Sequence, residues 1–300
     1  MILGFGYICM EIQIDLGEKL SFPCTMTPEN ATVSAGGSAV NQMIAAARCG
    51  AKTSIVGSIG EDIFAQHILE TLRREGINTA GIAKRKTQTS VINSIIDNEG
   101  QKASVIFEGA NIDSTAEQIP DSSLNEKNLI LLQNDIKTIS NINILKRAKN
   151  CGAITIMSLN HANNIETSMF EDVDITIINE HAFENICNKI HLSGKNRAKS
   201  LATETKTHII IAKDHGLLGT NATNINGDNN SYTKGFDGNE IIDKSGSFDA
   251  FCGCFAACIQ AGVNLDRSMK YARAAANLTA MKYGTYNAFP YLSDIEEIID

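Results

Sequence analysis

The stretch AGGSAVNQMIAAARCGAKTSIVGSIGEDIFAQ, residues 35–66, changes its periodicity twice. After two glycines, Ser38 to Cys49 is Ala-rich and contains neither Gly nor Pro, the composition of a helix, and Gly50 stands where a left-handed residue stops one. TSIVGSI at 53–59 follows as an unbroken run, which predicts a strand covered on both faces. Asp62 then opens a second helical pattern that runs to Glu75 and stops at Gly76. Helix, buried strand and helix in succession are the repeat of an α/β protein with a parallel sheet.

The same pattern recurs outward. MILGF at the start, NLILLQ at 128–133, AITIMSL at 153–159, DITII at 174–178 and HIIIA at 208–212 are further short apolar runs between helical segments. Residues 10–35 and 84–110 instead alternate polar and apolar residues around turns such as Asn98-Glu99-Gly100, which predicts strands with one wet face, a small sheet projecting from the body. INGDNNS at 225–231 reads as a polar turn between short strands. The C-terminal third is helical, with predicted helices at 249–262, 265–282 and 293–299, and Ala274-Ala275-Ala276 allows another element to approach closely.

With 300 residues, 43% hydrophobic content and four prolines, the chain is long enough for one large core, read as a single domain over 1–300. Its formal charge is −8 and its basic residues are scattered, which argues against a nucleic-acid or anionic-membrane partner and for small-molecule work. No segment approaches the roughly 18 consecutive apolar residues of a membrane span, and the first residues lack a basic leader, so a cytoplasmic protein is expected. Of eight cysteines only Cys252, Cys254 and Cys258 cluster. On a helix only the last two share a face, which favours core packing over a metal or redox site.

Two stretches carry chemistry. Gly36 and Gly37 before a helix let the backbone approach a ligand, and Asn41, one turn in, can hydrogen-bond a hydroxyl; the plainer reading is a tight turn with Ser38 as N-cap. DKSGSFD at 243–249 leads into a small-residue helix, so Asp249 is either a general base at an anion-binding helix start or an ordinary cap.

The order Gly36-Gly37, Asn41, Gly50, Gly57, Gly60, Asp62, followed about 200 residues later by DKSGSFD, resembles the two signatures of the ribokinase-like carbohydrate kinases, the PfkB family. SLN at 158–160, VDITIINEHAFENI at 173–186, HIIIAKDHGLL at 208–218 and ARAAANLTAMKYG at 272–284 align with the rest of that family. The resemblance implies a three-layer α/β fold, a mostly parallel sheet flanked by helices, with a β lid over the sugar site that also serves as a homodimer clasp. It implies transfer of the γ-phosphoryl of ATP, with Mg²⁺, to a hydroxymethyl group of a sugar or nucleoside. Asp249 would be the catalytic base and the amides of Gly246, Ser247 and Phe248 the anion hole. Gly36, Gly37, Asn41 and Asp135 would bind substrate; Asn179, Lys213, Gly216 and Asn277 would meet the nucleotide.

Several positions depart from the family. Phe248 stands at the second glycine of the anion-hole motif, setting a large ring beside the phosphate and removing a glycine-only conformation. Cys9 replaces the sugar-clamping Asp, with Glu11 as a substitute acceptor; Ala182 replaces the Glu of the metal-linked motif; and the nucleotide loop keeps only Gly216. Together these changes predict weakened transfer, the alternative being a non-catalytic binding or regulatory descendant.

Overall fold

The computed structural model describes residues 1–20, 25–28, 30–99, 101–161, 165–194, 197–213, 219–223, 229–234 and 241–299. Its first half runs β1 (Ile2–Phe5), β2 (Cys9–Asp15), β3 (Asn30–Gly36), α1 (Ser38–Arg48), β4 (Thr53–Ile59), α2 (Ile63–Arg74), β5 (Asn78–Lys84), β6 (Ser90–Ile96) and β7 (Lys102–Phe107). The second half adds β8 (Leu129–Gln133), α3 (Thr138–Asn150), β9 (Ile154–Leu159), β10 (Ile175–Asn179), α4 (Glu180–Lys189), α5 (Arg197–Thr205) and β11 (His208–Lys213). It closes with β12 (Gly219–Thr223), β13 (Asn229–Lys234), α6 (Ser247–Gln260), α7 (Leu265–Ala280) and α8 (Leu292–Ile299).

Among the described residues the strands form a nine-stranded sheet in the order β13-β12-β11-β10-β9-β8-β1-β4-β5 and a four-stranded sheet in the order β3-β2-β6-β7. In the large sheet every pair from β5 to β11 is parallel, and β12 and β13 extend it antiparallel. Strand pleat explains the apolar runs. Leu129 and Leu131 of β8 enter one core with Met43, Ile44, Phe251 and Phe255, whereas Ile130 and Leu132 enter another with Ile144, Ile178 and Ile186. The sheet is therefore a middle layer, with α1, α6 and α7 on one face and α3 and α4 on the other.

Ala274, Ala275 and Ala276 are buried on α7, which lies on α6 as a closely packed helix pair. Cys252, Cys254 and Cys258 are buried in the same core. The projecting sheet differs in one respect from its expected form. β7 is exposed along its whole length, so it has two wet faces rather than one. β2 and β6 pair in parallel because α1, β4, α2 and β5 intervene between them. No described helix is long and apolar enough to cross a membrane.

Candidate active site

The two sheets meet over a cavity of about 450 Å³, whose walls include Glu11, Asn41, Asp135, Asn160, Gly246 and Asp249. α1 supplies one wall because of its first residues. Gly37, not Ser38, is the N-cap; its φ of 93° suits glycine, and a Cβ there would lie 2.4 Å from the Tyr7 carbonyl oxygen. Gly36 leaves space for the Glu11 carboxyl group, which a Cβ at position 36 would meet at 2.4 Å. Gly57 and Gly60 have a different use. A Cβ on Gly60 would reach the Thr89 nitrogen at 2.5 Å, and Asp62 caps α2 at Ala65 while accepting from the Thr89 amide at 2.7 Å. These residues root the small sheet on the large one.

α6 begins at the opposite wall. The left-handed conformation falls on Gly246, with φ 74°, and Ser247 is the first helical residue. Phe248 is therefore ordinary helix, 3% exposed, with its ring in the core beside Phe251 and outside the cavity wall. This corrects the expected crowding: the glycine-only conformation belongs to Gly246, which is retained, and helical twist turns the side chain at 248 away from the cavity. The Ser247 amide donates back to Lys244 O at 3.2 Å, so this anion-hole candidate closes a turn.

Asp249 sits one residue further on, where the twist aims its carboxylate at α1. Asn41 Nδ2 donates to Oδ2 at 3.1 Å, and Gln42 Nε2 donates to Oδ1 at 2.9 Å. Burial pushes the Asp249 carboxyl up to about 7 against those two donors, with the charges of Asp135 and Glu11 adding to the rise. Glu11 is likewise raised, first by burial, while Lys102, the Gly37 amide and the Thr285 hydroxyl hold it down. Asp135 accepts from His161 Nε2 at 2.7 Å, which raises the His161 pKa. Asn41 Oδ1 is buried without a partner among the described residues. The wall thus offers acceptors, which suits a ligand rich in hydroxyl donors.

Cys9 is fully buried in the second core, so the carboxylate at this end of the cavity is that of Glu11, two residues along β2 on the same face. Asn179 caps α4 through Ala182 N at 2.7 Å and donates to the Asn160 carbonyl oxygen and, at 2.7 Å, to Asn160 Oδ1. Ala182 is buried and offers no carboxylate at that position, and the Asn179 carboxamide oxygen is already taken by the Ala182 amide. A divalent ion here would be one carried on nucleotide phosphates, which needs few protein ligands. Asn277 is 3% exposed, and neither end of its amide has a partner among the described residues. Lys213 ends β11, and Gly216 lies outside the described residues.

Sequence reasoning missed Gln42, His161, Lys102, Glu108 and Thr285. Gln42 alone had a signal: Asn41-Gln42 is a polar pair in an otherwise small and apolar stretch of helix. The others come from loops and the small sheet and meet only through the fold.

A three-layer α/β sheet with a cavity between it and a second sheet, and a carboxylate at a glycine-led helix start, is the architecture of a sugar-kinase fold. The sequence matches the pfkB family carbohydrate kinase profile over residues 1–291, and the chain belongs to that family. It is 23% identical over 269 residues to ribokinase of Bacillus subtilis, covering 88% of this chain and 87% of that protein. It is 26% identical over 277 residues to deoxyribokinase of Salmonella typhimurium, covering 89% and 88%. The fold superimposes on ribokinase from Thermotoga maritima with a TM-score of 0.89 at 24% identity, covering 99% of this chain and 98% of that one. On Arabidopsis thaliana ribokinase, solved with ribose and ATP, the TM-score is 0.86 at 20% identity, covering 99% and 97%.

Proposed function

We propose that the protein transfers the γ-phosphoryl group of ATP to a hydroxymethyl group of a sugar or nucleoside, with Asp249 as the base. The observation that carries this reading is Asp249 itself: a half-buried carboxylate at the foot of the cavity, beside the left-handed Gly246 and held by two amide donors. A base near pH 7 is matched to taking a hydroxyl proton as the oxygen attacks. ATP supplies the phosphoryl group, with its charge neutralised by magnesium on the phosphates.

The positive end of the α6 dipole, at the first turn beside Asp249, stabilises charge on the transferring oxygens, while the Ser247 amide stays bonded to Lys244 O. Gly246 keeps that approach open, and the amide of Phe248 belongs to the same turn. Asn41 Oδ1, Asp135 and Glu11 accept from substrate hydroxyls, while Gly36 and Gly37 bring backbone to the sugar. Asn277, whose buried amide has no partner among the described residues, contacts the nucleotide, and the family resemblance assigns Lys213 and Gly216 to the same ligand. Asn179 acts through Asn160, which lines the cavity.

The chain works as one domain over 1–300, with the four-stranded sheet as its lid. Val33, Val105 and Phe107 share the lid face turned away from the cavity and are 55%, 68% and 49% exposed, which supports a homodimer formed through that face. The test is direct. Purified protein is incubated with ATP, magnesium and a panel of pentoses, hexoses and nucleosides, and product formation is expected for wild type and lost in Asp249→Asn. No product from any acceptor would overturn the reading.

A further inference from the structure

Gln42 touches Asp249 but does not line the cavity; it lies behind the base, 1% exposed. We propose that Gln42 is the positioning residue of Asp249, and that Gln133 fixes which end of the Gln42 amide the carboxylate meets. The proposal rests on the reading of Asp249 as the base.

A glutamine amide has a donor end and an acceptor end, and reversed it would present oxygen to the carboxylate and repel it. Gln133 Nε2 donates to Gln42 Oε1 at 2.9 Å, so the acceptor end is taken and the NH₂ is left for Asp249 Oδ1. Ser158 Oγ closes the ring, accepting from Gln42 Nε2 at 2.9 Å and lying 3.2 Å from Gln42 Oε1. Gln133 and Ser158 are 1% and 2% exposed, so protein groups rather than solvent set these orientations. Gly6 makes the seat for Gln133, because a Cβ there would lie 2.0 Å from Gln133 Oε1.

The groups that face Asp249 are Glu11 and Lys102 from the small sheet, Glu108 after it, Asp135 with its partner His161 after β8 and β9, and Cys252 one turn along α6. None of them donates to Oδ1. Among the described residues its side-chain donor is Gln42 and that of Oδ2 is Asn41. Loss of the Gln42 donor therefore destabilises the ionised carboxylate that the reaction needs.

The experiment compares wild type, Gln42→Leu and Gln133→Leu in two readouts. One is the pH profile of kcat/KM. The other is the ¹³C-carboxyl NMR titration of Asp249, assigned by the signal missing from Asp249→Asn. For Gln42→Leu the acid limb and the carboxyl titration should both move up by about one pH unit. Activity at pH 7 should fall several-fold and largely return by pH 9, with the sugar KM little changed. Gln133→Leu should move both in the same direction by less. An Asp249 titration unmoved in Gln42→Leu, with activity reduced by one factor at every pH, overturns the proposal. If Gln42→Leu does not fold, an unmoved titration in Gln133→Leu overturns it equally. Should wild type phosphorylate nothing, the kinase reading falls, and the carboxyl titration still decides the role of Gln42.

Discussion

A carboxylate drawn into the wall of a polar cavity serves catalysis at a cost to stability, and Asp249 shows both sides. Its pKa of about 7 in the folded chain lies above the unfolded value of about 4, so the folded state binds the proton more tightly. The favourable contribution is fully present below about pH 4 and is lost as pH rises through about 7, an interval worth up to about 4 kcal/mol. Asp249→Asn should therefore raise the thermal midpoint more at pH 8.5 than at pH 5, as calorimetric scans at the two pH values would show. The same substitution should lower kcat by at least about a hundredfold, the usual weight of a general base. In wild type, kcat/KM should rise with pH through an acid limb near 7, measured with a neutral sugar so that only the enzyme titrates.

The pairing of α1 with α6 is what brings Asn41 and Gln42 to Asp249, and Gly253 permits it. A Cβ at 253 would meet Gln42 O at 2.3 Å, Ala45 Cβ at 2.6 Å and Ala46 N at 2.9 Å, so the two helices come together almost backbone to backbone there. Gly253→Ala should cost about 1–3 kcal/mol by overpacking and should lower kcat more than it raises KM, read from denaturant midpoints and steady-state kinetics. At the helix start, Gly246→Ala combines a left-handed φ with a Cβ 2.8 Å from Phe289 Cε1, so it should destabilise by about 1–2 kcal/mol and slow transfer. Both glycines stand in the sequence for anyone to see, but what each one clears space for is written in other elements. The residue before Asp249 shows the limit most clearly: alignment of motifs puts Phe248 at a glycine position, whereas helical phase sends its ring into the core.

The lid and the body are joined through Asp62, Thr89 and Asn111, the last bonding both the amide and the carbonyl of Ile8. The joint holds the Glu11 strand over the cavity and leaves Val33, Val105 and Phe107 uncovered on the other side. Val105→Asp should shift the sedimentation coefficient from dimer to monomer if that face is the clasp, and an unchanged coefficient would place the contact elsewhere or nowhere. A charge at this site lies far from the base, so the acid limb of the pH profile should stay where it is in wild type.

The chain's periodicity alone determined the α/β class, the strands of the parallel sheet other than β5, and the small second sheet, because strand pleat and helix pitch are local and show as spacings of 2 and 3.6. Ordered glycines and the DKSGSFD start also pointed to Gly37, Asn41 and Asp249, which line the cavity, and to Gly36, which packs against Glu11. Only the tertiary structure decided that Gln42, held by Gln133, meets the carboxylate of Asp249, that Glu11 supplies an acceptor where Cys9 is buried, and that His161 pairs with Asp135. Those contacts join residues from separate elements, Gln42 and Asp249 being 207 positions apart, and their geometry follows from how layers pack rather than from any spacing along the chain.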